Sequence, residues 1–252
     1  MKFVGDYHTH TLASDGTGFV RDNLRYAEKR GLEEVAITDH SFTCFLCHMT
    51  RWKFNLQEKA IKKYLDSTKS SLKVYHGVEG NLLGFDGYLD VPDDVIKRCD
   101  VLHLGFHRYL KIHVAFKYAK YVFTNGFGPK RAKEKIKDLN TESYLKAMDT
   151  YPIDVLVHLG HRCPVNVEAV LKKAAEKGIY VEFNEKHVDV LEKNIETILD
   201  SGVKLIVGSD AHNYKKIGRL DQVAKFIEKY QIPEERIFGL GAKPTFKDKN
   251  NG

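Results

Sequence analysis

Asp6-Tyr7-His8-Thr9-His10-Thr11-Leu12-Ala13-Ser14-Asp15-Gly16, entered from the apolar pair Phe3-Val4, reads as a first β-strand that runs out into a loop. Side chains along a strand alternate faces, so His8 and His10 point the same way. Two imidazoles on one face, with a carboxylate following at Asp15, make half of a metal site. Taken alone, the stretch also admits a plain reading as a surface histidine pair. The choice turns on whether other strands end in ligands too.

Outward from this stretch, strand-like and helix-like runs alternate. Phe19, Val20, Leu24 and Ala27 form one stripe at helical spacing, and Gly31 stands where a left-handed cap is expected. Val35-Ala36-Ile37-Thr38 ends in Asp39-His40. A helix over about 56–67 precedes a strand over 74–79 that ends in Glu79-Gly80-Asn81. A helix over 92–98 leads to a strand over 101–107 that ends in His107. The rhythm breaks over 108–140 and resumes with a helix over 141–149, after which Val155-Leu156-Val157 ends in His158. A helix over 167–177, stopped by Gly178, precedes a strand over 179–183 and Asn184. A helix over 191–200, stopped by Gly202, precedes Leu205-Ile206-Val207, which ends in Gly208-Ser209-Asp210-Ala211-His212. A last helix covers about 220–230, and the polar tail from Ala242 is expected to be loose.

Seven strands alternating with helices indicate a parallel α/β fold. The strands are apolar on both faces, as buried parallel strands are. Their polar groups collect at the C-terminal ends, which a barrel brings together on one rim. A doubly wound sheet would spread those ends along a line, and only those near its switch point could meet. One closed constellation therefore favours a barrel.

The chain has 252 residues, 42% hydrophobic and 29% charged, the balance of an ordinary globular domain and not of a disordered chain. No apolar run reaches the roughly 18 residues of a transmembrane span. Met1-Lys2-Phe3-Val4-Gly5-Asp6 is too short and too acidic for a signal peptide, so a cytoplasmic location is expected and the four cysteines are read as thiols. The net charge of +6 fits an anionic substrate without demanding one.

Six histidines, two aspartates and a glutamate stand at successive strand ends: His8, His10, Asp15, His40, Glu79, His107, His158, Asp210 and His212. Burying so many ionisable groups without partners would be costly, and cations offset that cost. Nine nitrogen and oxygen donors can hold two or three ions.

The signature His8-x-His10, Asp15, Thr38-Asp39-His40, Gly77-Val78-Glu79, His107, His158 and Ser209-Asp210-Ala211-His212 resembles the PHP (polymerase and histidinol phosphatase) family over about residues 6–240. The chain looks most like the stand-alone PHP hydrolases. That resemblance implies a distorted TIM-like (β/α)7 barrel with a trinuclear site, here a single domain over 1–252 with an insertion at about 108–140. It places His8, His10, Glu79 and Asp210 on a first metal. Glu79 bridges to a second held by His107 and His158, and a third takes Asp15, His40 and His212. Asp15 stands where close relatives often carry histidine. Val157-His158-Leu159-Gly160-His161 departs from the usual His-Pro, and His158 is assigned as ligand because it directly ends the strand. His161 is then a substrate or supporting group.

Such a site implies two to three divalent transition metals, and its donor set, without a matched thiolate, admits Zn, Mn or Fe. Cations that bridge a water create a hydroxide at neutral pH and neutralise phosphate oxygens, with Glu79 and Asp210 acting through that hydroxide. Hydrolysis of a small metabolite's phosphate monoester is the expected reaction, histidinol phosphate being one candidate. The alternatives are a nucleotide or nucleic-acid phosphodiesterase and a non-catalytic metal-binding module.

Other signals carry less. Cys44-Phe45-Leu46-Cys47-His48 spells a haem-attachment pattern, but attachment needs export, so the reading is a loop beside His40 that holds two thiols. Cys99 and Cys163 read as packing residues, and His103 as a core histidine sharing a face with His107. His76 faces away from Glu79. The segment 108–137 holds nine Lys/Arg and one acid with interleaved aromatics, and it is read as a substrate lid. A plain insertion and a nucleic-acid groove are the other readings of it. Arg108, Lys111, His161 and Arg162 are the expected substrate contacts.

Overall fold

The computed structural model describes residues 1–45 and 47–249; Leu46, inside the Cys44–Cys47 turn, and the last three residues of the tail lie outside them. Eight strands carry the architecture: β1 (Gly5–Asp6), β2 (Glu34–Ile37), β3 (Lys73–Asn81), β4 (Val101–Gly105), β5 (Val155–Leu156), β6 (Tyr180–Asn184), β7 (Leu205–Gly208) and β8 (Ile237–Phe238). They pair in sequence order, every pair parallel. The two edges approach each other as well. Val4 and Gly5 donate backbone hydrogen bonds to the Gly239 carbonyl just beyond β8, and Tyr7 donates to the Val207 carbonyl of β7. The sheet thus curls into a nearly closed, distorted TIM-like barrel. Alternation and apolar composition expose seven of these strands. The eighth, two residues long like β1 and β5, lacks their longer apolar run: Ile237-Phe238 stands alone between the charged turn Glu234–Arg236 and Gly239.

Helices cover the outside. The helix Arg51–Thr68 starts one turn before its apolar stripe, because the Thr50 side chain accepts from Lys53 N at 3.1 Å and caps it. The helical run over 191–200 is broken into Val188–Glu192 and Ile195–Asp200. Between β4 and β5 the basic segment folds as three short helices, Ile112–Lys117, Ala119–Phe127 and Lys130–Lys135, before the longer Lys137–Thr150.

Two expectations are corrected. The described part of the tail is not loose. The Phe246 ring packs edge-on at 4.8 Å from Tyr75 and 6.1 Å from Tyr7, and the buried Lys249 ammonium meets Asp154 at 2.6 Å. An aromatic anchor and a buried ion pair hold a segment whose average composition is polar. Nor are all four cysteines thiols: Cys44 and Cys47 are joined in a disulfide across a turn that brings their Cα atoms to 5.6 Å, within the normal bridging range. Cys99 and Cys163 are free and buried, as packing residues are.

Candidate metal centre

β1 delivers His8 and His10 to the C-terminal rim on one face, with their Nε2 atoms 3.1 Å apart. At the end of β3, Glu79 lies fully buried at the centre of five imidazoles. Its Oε2 is 2.8 Å from His40 Nδ1, 3.4 Å from His8 Nε2 and 3.7 Å from His10 Nε2. Its Oε1 is 2.8 Å from His158 Nε2 and 3.1 Å from His107 Nε2. Beyond β7, Asp210 Oδ1 stands 3.4 Å from His10 Nε2 and 3.3 Å from His212 Nδ1. Asp15 Oδ2 is 3.5 Å from His40 Nε2 and 3.3 Å from His212 Nε2. All nine strand-end residues therefore meet in one cluster.

Among the described residues, three overlapping groups place their donor atoms within 4.8 Å of one another: His8, His10 and Asp210; His10, Asp15, His40 and His212; and His40, Glu79 and His107. His158 adjoins the last group through Glu79 Oε1. His161 does not approach Glu79 in this way; its ring lies against His187 at 4.0 Å, on the cavity wall.

The donors fit cations. Two imidazole nitrogens 3.1 Å apart cannot both present a lone pair to the other without a proton or cation between them. His10 Nδ1, His40 Nδ1 and Glu79 Oε2 are buried and make no aligned hydrogen bond, a costly state that metal coordination relieves. Burial, and then the His40 imidazole, push His10 down to about 3, which leaves it neutral and able to donate its lone pair. Burial alone would raise Glu79, yet the imidazoles of His107, His8 and His40 hold its carboxyl well below the usual range. Burial also works against a charged His40, but Glu79 and Asp15 raise it to about 10; the carboxylates draw positive charge into the cluster. Backbone strain occurs here too: His158 and Asp210 take the left-handed region, at φ +36° and +50°. Such conformations persist where the surroundings over-determine them, and they gather at functional sites.

Sequence reasoning missed several supports. Glu182, buried in β6, accepts from His8 Nδ1 at 2.7 Å and from His158 N at 2.9 Å, so it orients two residues of the cluster at once. An acid inside an otherwise apolar buried strand was the available signal. A Cβ at Gly208 would collide with the Glu182 carboxylate, so β7 needs glycine there. Lys186 places Nζ 3.0 Å from Asp210 Oδ1 and 2.8 Å from His212 Nδ1. Asp39 organises the Asp15 loop by accepting from the backbones of Thr11 at 2.8 Å and Ser14 at 3.1 Å. His103 is buried beneath the cluster with its ring 5.1 Å from His8, and His76 stacks on Phe54 outside the barrel, 4.0 Å between rings.

Above the cluster opens a cavity of about 720 Å³, lined by seven of the nine strand-end residues, all but His8 and His10, together with Arg108, Tyr109, His161, Arg162, Lys186 and Phe45. Arg108, His161 and Arg162 stand on its wall as expected, and Lys111 is not part of the lining. Instead, Lys111 N donates to the Thr43 carbonyl at 2.9 Å, and Phe45 N donates to the Tyr109 carbonyl, which ties the Cys44–Cys47 turn to the start of the basic segment. Among the described residues, no helix is long and apolar enough to cross a membrane.

Residues 6–238 match the family described as PHP domain. The chain is 28% identical over 254 residues to a "Probable phosphatase" of Clostridium novyi, covering 96% of this chain and 93% of that one. It is 29% identical over 263 residues to another of Clostridium botulinum, covering 100% and 97%. Among solved structures it superposes on histidinol phosphate phosphatase from Lactococcus lactis, complexed with zinc, L-histidinol and phosphate. That likeness has a TM-score of 0.66 at 18% identity, covers 98% of each chain, and shows a shared fold.

Proposed function

The chain belongs to the PHP domain family, and from that membership we propose a metal-dependent phosphatase that hydrolyses the phosphate monoester of a small metabolite. One observation carries the reading: nine imidazole and carboxylate donors converge around Glu79 at the floor of a cavity whose walls bear Arg108, Arg162 and Lys186. The whole chain acts as one domain, and the insertion at 108–140 supplies one wall.

His8, His10, Glu79 and Asp210 would hold a first divalent ion, with Glu79 shared toward His107 and His158 and a third set formed by Asp15, His40 and His212. When bound, such ions supply Lewis-acid chemistry, lowering the pKa of water and neutralising phosphate oxygens. The chain's own residues do the rest. Glu182 fixes the tautomer of His8, Lys186 meets the ester's anionic oxygens beside Asp210, and Arg108 clamps the substrate from the opposite wall.

The direct test is release of phosphate from a chromogenic phosphate monoester by purified protein, read beside its metal content. Two to three equivalents of Zn, Mn or Fe and turnover of the monoester are expected. Protein that carries its metal yet hydrolyses no monoester is the result that would sink the reading. Cleavage of dinucleotides or single-stranded DNA in preference to monoesters would replace it with the phosphodiesterase alternative.

A second expectation concerns Arg108. Losing one charge-assisted contact costs about 1.5–3 kcal/mol, roughly one to two orders of magnitude in kcat/KM. Arg108→Ala should lower kcat/KM for phosphate monoesters by about that factor with metal content retained. Neutralising the exposed Lys130, Arg131 and Lys135 together should change it far less. The reverse ranking, measured by steady-state kinetics, would move the phosphate grip to the distal cluster.

A further inference from the structure

Arg108, Lys133 and Arg162 form a group that the reaction on a simple monoester does not use in full. Arg108 and Arg162 line the cavity, and the half-buried Lys133 donates to the Arg162 carbonyl at 3.3 Å. Among the described residues, no carboxylate forms an ion pair with any of the three, although Lys186, on the β7 side of the same cavity, has Asp210. Burial, and then repulsion from Arg162 and Arg108, pull the Lys133 ammonium below the usual lysine range. Like charges held together without an acid are relieved by a bound anion.

Arg108 is held in place by its neighbours, while Arg162 is exposed. The Arg108 guanidinium lies 4.5 Å from the Tyr109 ring centre and 5.4 Å from that of Phe127. A Cβ at Gly126 would stand 2.7 Å from Arg108 Cβ, so the helix Ala119–Phe127 can rest on Arg108 only with glycine there. Arg162 takes the left-handed region at φ +61°, a backbone cost that persists in a non-glycine residue only where the surroundings over-determine it. The cavity, at about 720 Å³, lies in the upper part of the range for small-molecule sites, roughly 300–1,000 Å³. A phosphate held by Lys186, Arg108 and the metal centre leaves the Arg162–Lys133 end for the rest of the substrate.

We propose that Arg162 and Lys133, with Arg108 beside them, form a second anion subsite, and that the substrate is a phosphate monoester bearing a second anionic group, phosphate or carboxylate. This rests on the phosphatase reading above. A substrate whose far end is an ammonium would meet three cations there and be disfavoured.

A matched series tests it: propyl phosphate, 3-phosphooxypropanoate, propane-1,3-diyl bisphosphate and histidinol phosphate, each followed by phosphate release from the metal-loaded enzyme. The doubly anionic compounds should exceed propyl phosphate in kcat/KM by roughly ten- to a hundredfold, with histidinol phosphate below them. A preference for the bisphosphate alone assigns the subsite to phosphate, and a preference for both assigns it to anionic charge as such. In Arg162→Gln and Lys133→Gln the ratio of doubly anionic to propyl substrate should fall about tenfold, and Lys133→Arg should keep it. Equal rates across the series in the wild-type enzyme overturn the subsite and leave the phosphatase reading standing. Turnover of none of the four overturns the phosphatase reading, and the subsite with it. A preference that survives both glutamine variants overturns the residue assignment.

Discussion

Glu79→Gln is expected to lower phosphatase kcat/KM by about two to four orders of magnitude and to strip metal from the protein. The side chain keeps its shape in this exchange and loses only its charge, so packing cannot account for the effect. Five imidazoles stand within 3.7 Å of the carboxylate, one oxygen facing His40, His8 and His10 and the other facing His158 and His107. It is also buried, with 1% of its side chain exposed, so water cannot replace the missing charge. Removing one partner from a buried ionic cluster costs about 3–5 kcal/mol, which sets the size of the expected loss. Chelation of the wild-type enzyme should reproduce the loss and readdition of metal should reverse it, whereas readdition should restore Glu79→Gln only in part. Metal content by elemental analysis, read beside kcat/KM, makes the comparison. Metal-free protein with full activity, or a glutamine variant with unchanged metal and rate, would remove the centre from the mechanism.

The sequence made the cluster legible because nearly all of the proposed ligands follow strands directly, Asp15 in the loop after β1 being the exception. His8 and His10 share a parity, Glu79, Asp210 and His212 follow apolar runs, and one rim joins them all. What escaped was support that has no period. Glu182 sits among apolar neighbours in β6 and becomes meaningful only when β1 places His8 Nδ1 beside it. Lys186 lies in the loop after β6, and its contact with Asp210 depends on how that loop folds back. β8 is two residues long, and its place beside β7 is a matter of barrel closure, which no local pattern records. The tail was misjudged for the same reason. Composition averaged over 242–252 hides the one aromatic, Phe246, and the three lysines, Lys243, Lys247 and Lys249, that hold it down. Local regularities reveal elements and their ends, while long-range pairs such as Lys249 with Asp154, 95 positions apart, appear only once the chain is folded.

His158→Ala should cost metal and activity together, by roughly two orders of magnitude or more, whereas His161→Ala should keep its metal and lose about tenfold or less in kcat/KM. The two residues are three apart on one loop, and both imidazoles face the same cavity. Geometry separates them. His158 Nε2 is 2.8 Å from the Glu79 carboxylate, its backbone N donates to Glu182, and its φ of +36° is a strained conformation held by those contacts. His161 has its ring against His187 instead, and burial, then His187 and His158, push it down to about 3, so it would meet a substrate as a neutral hydrogen-bonding group. Outer partners of metal ligands are worth 10–100-fold, and a ligand itself should exceed that range, while a cavity-wall contact should fall at or below its lower end. Metal stoichiometry is the deciding readout, because a fall in rate alone would not distinguish a lost ion from a lost substrate contact. Equal metal loss in both variants, or loss only in His161→Ala, would shift the ligand one turn along the loop and reverse the two roles.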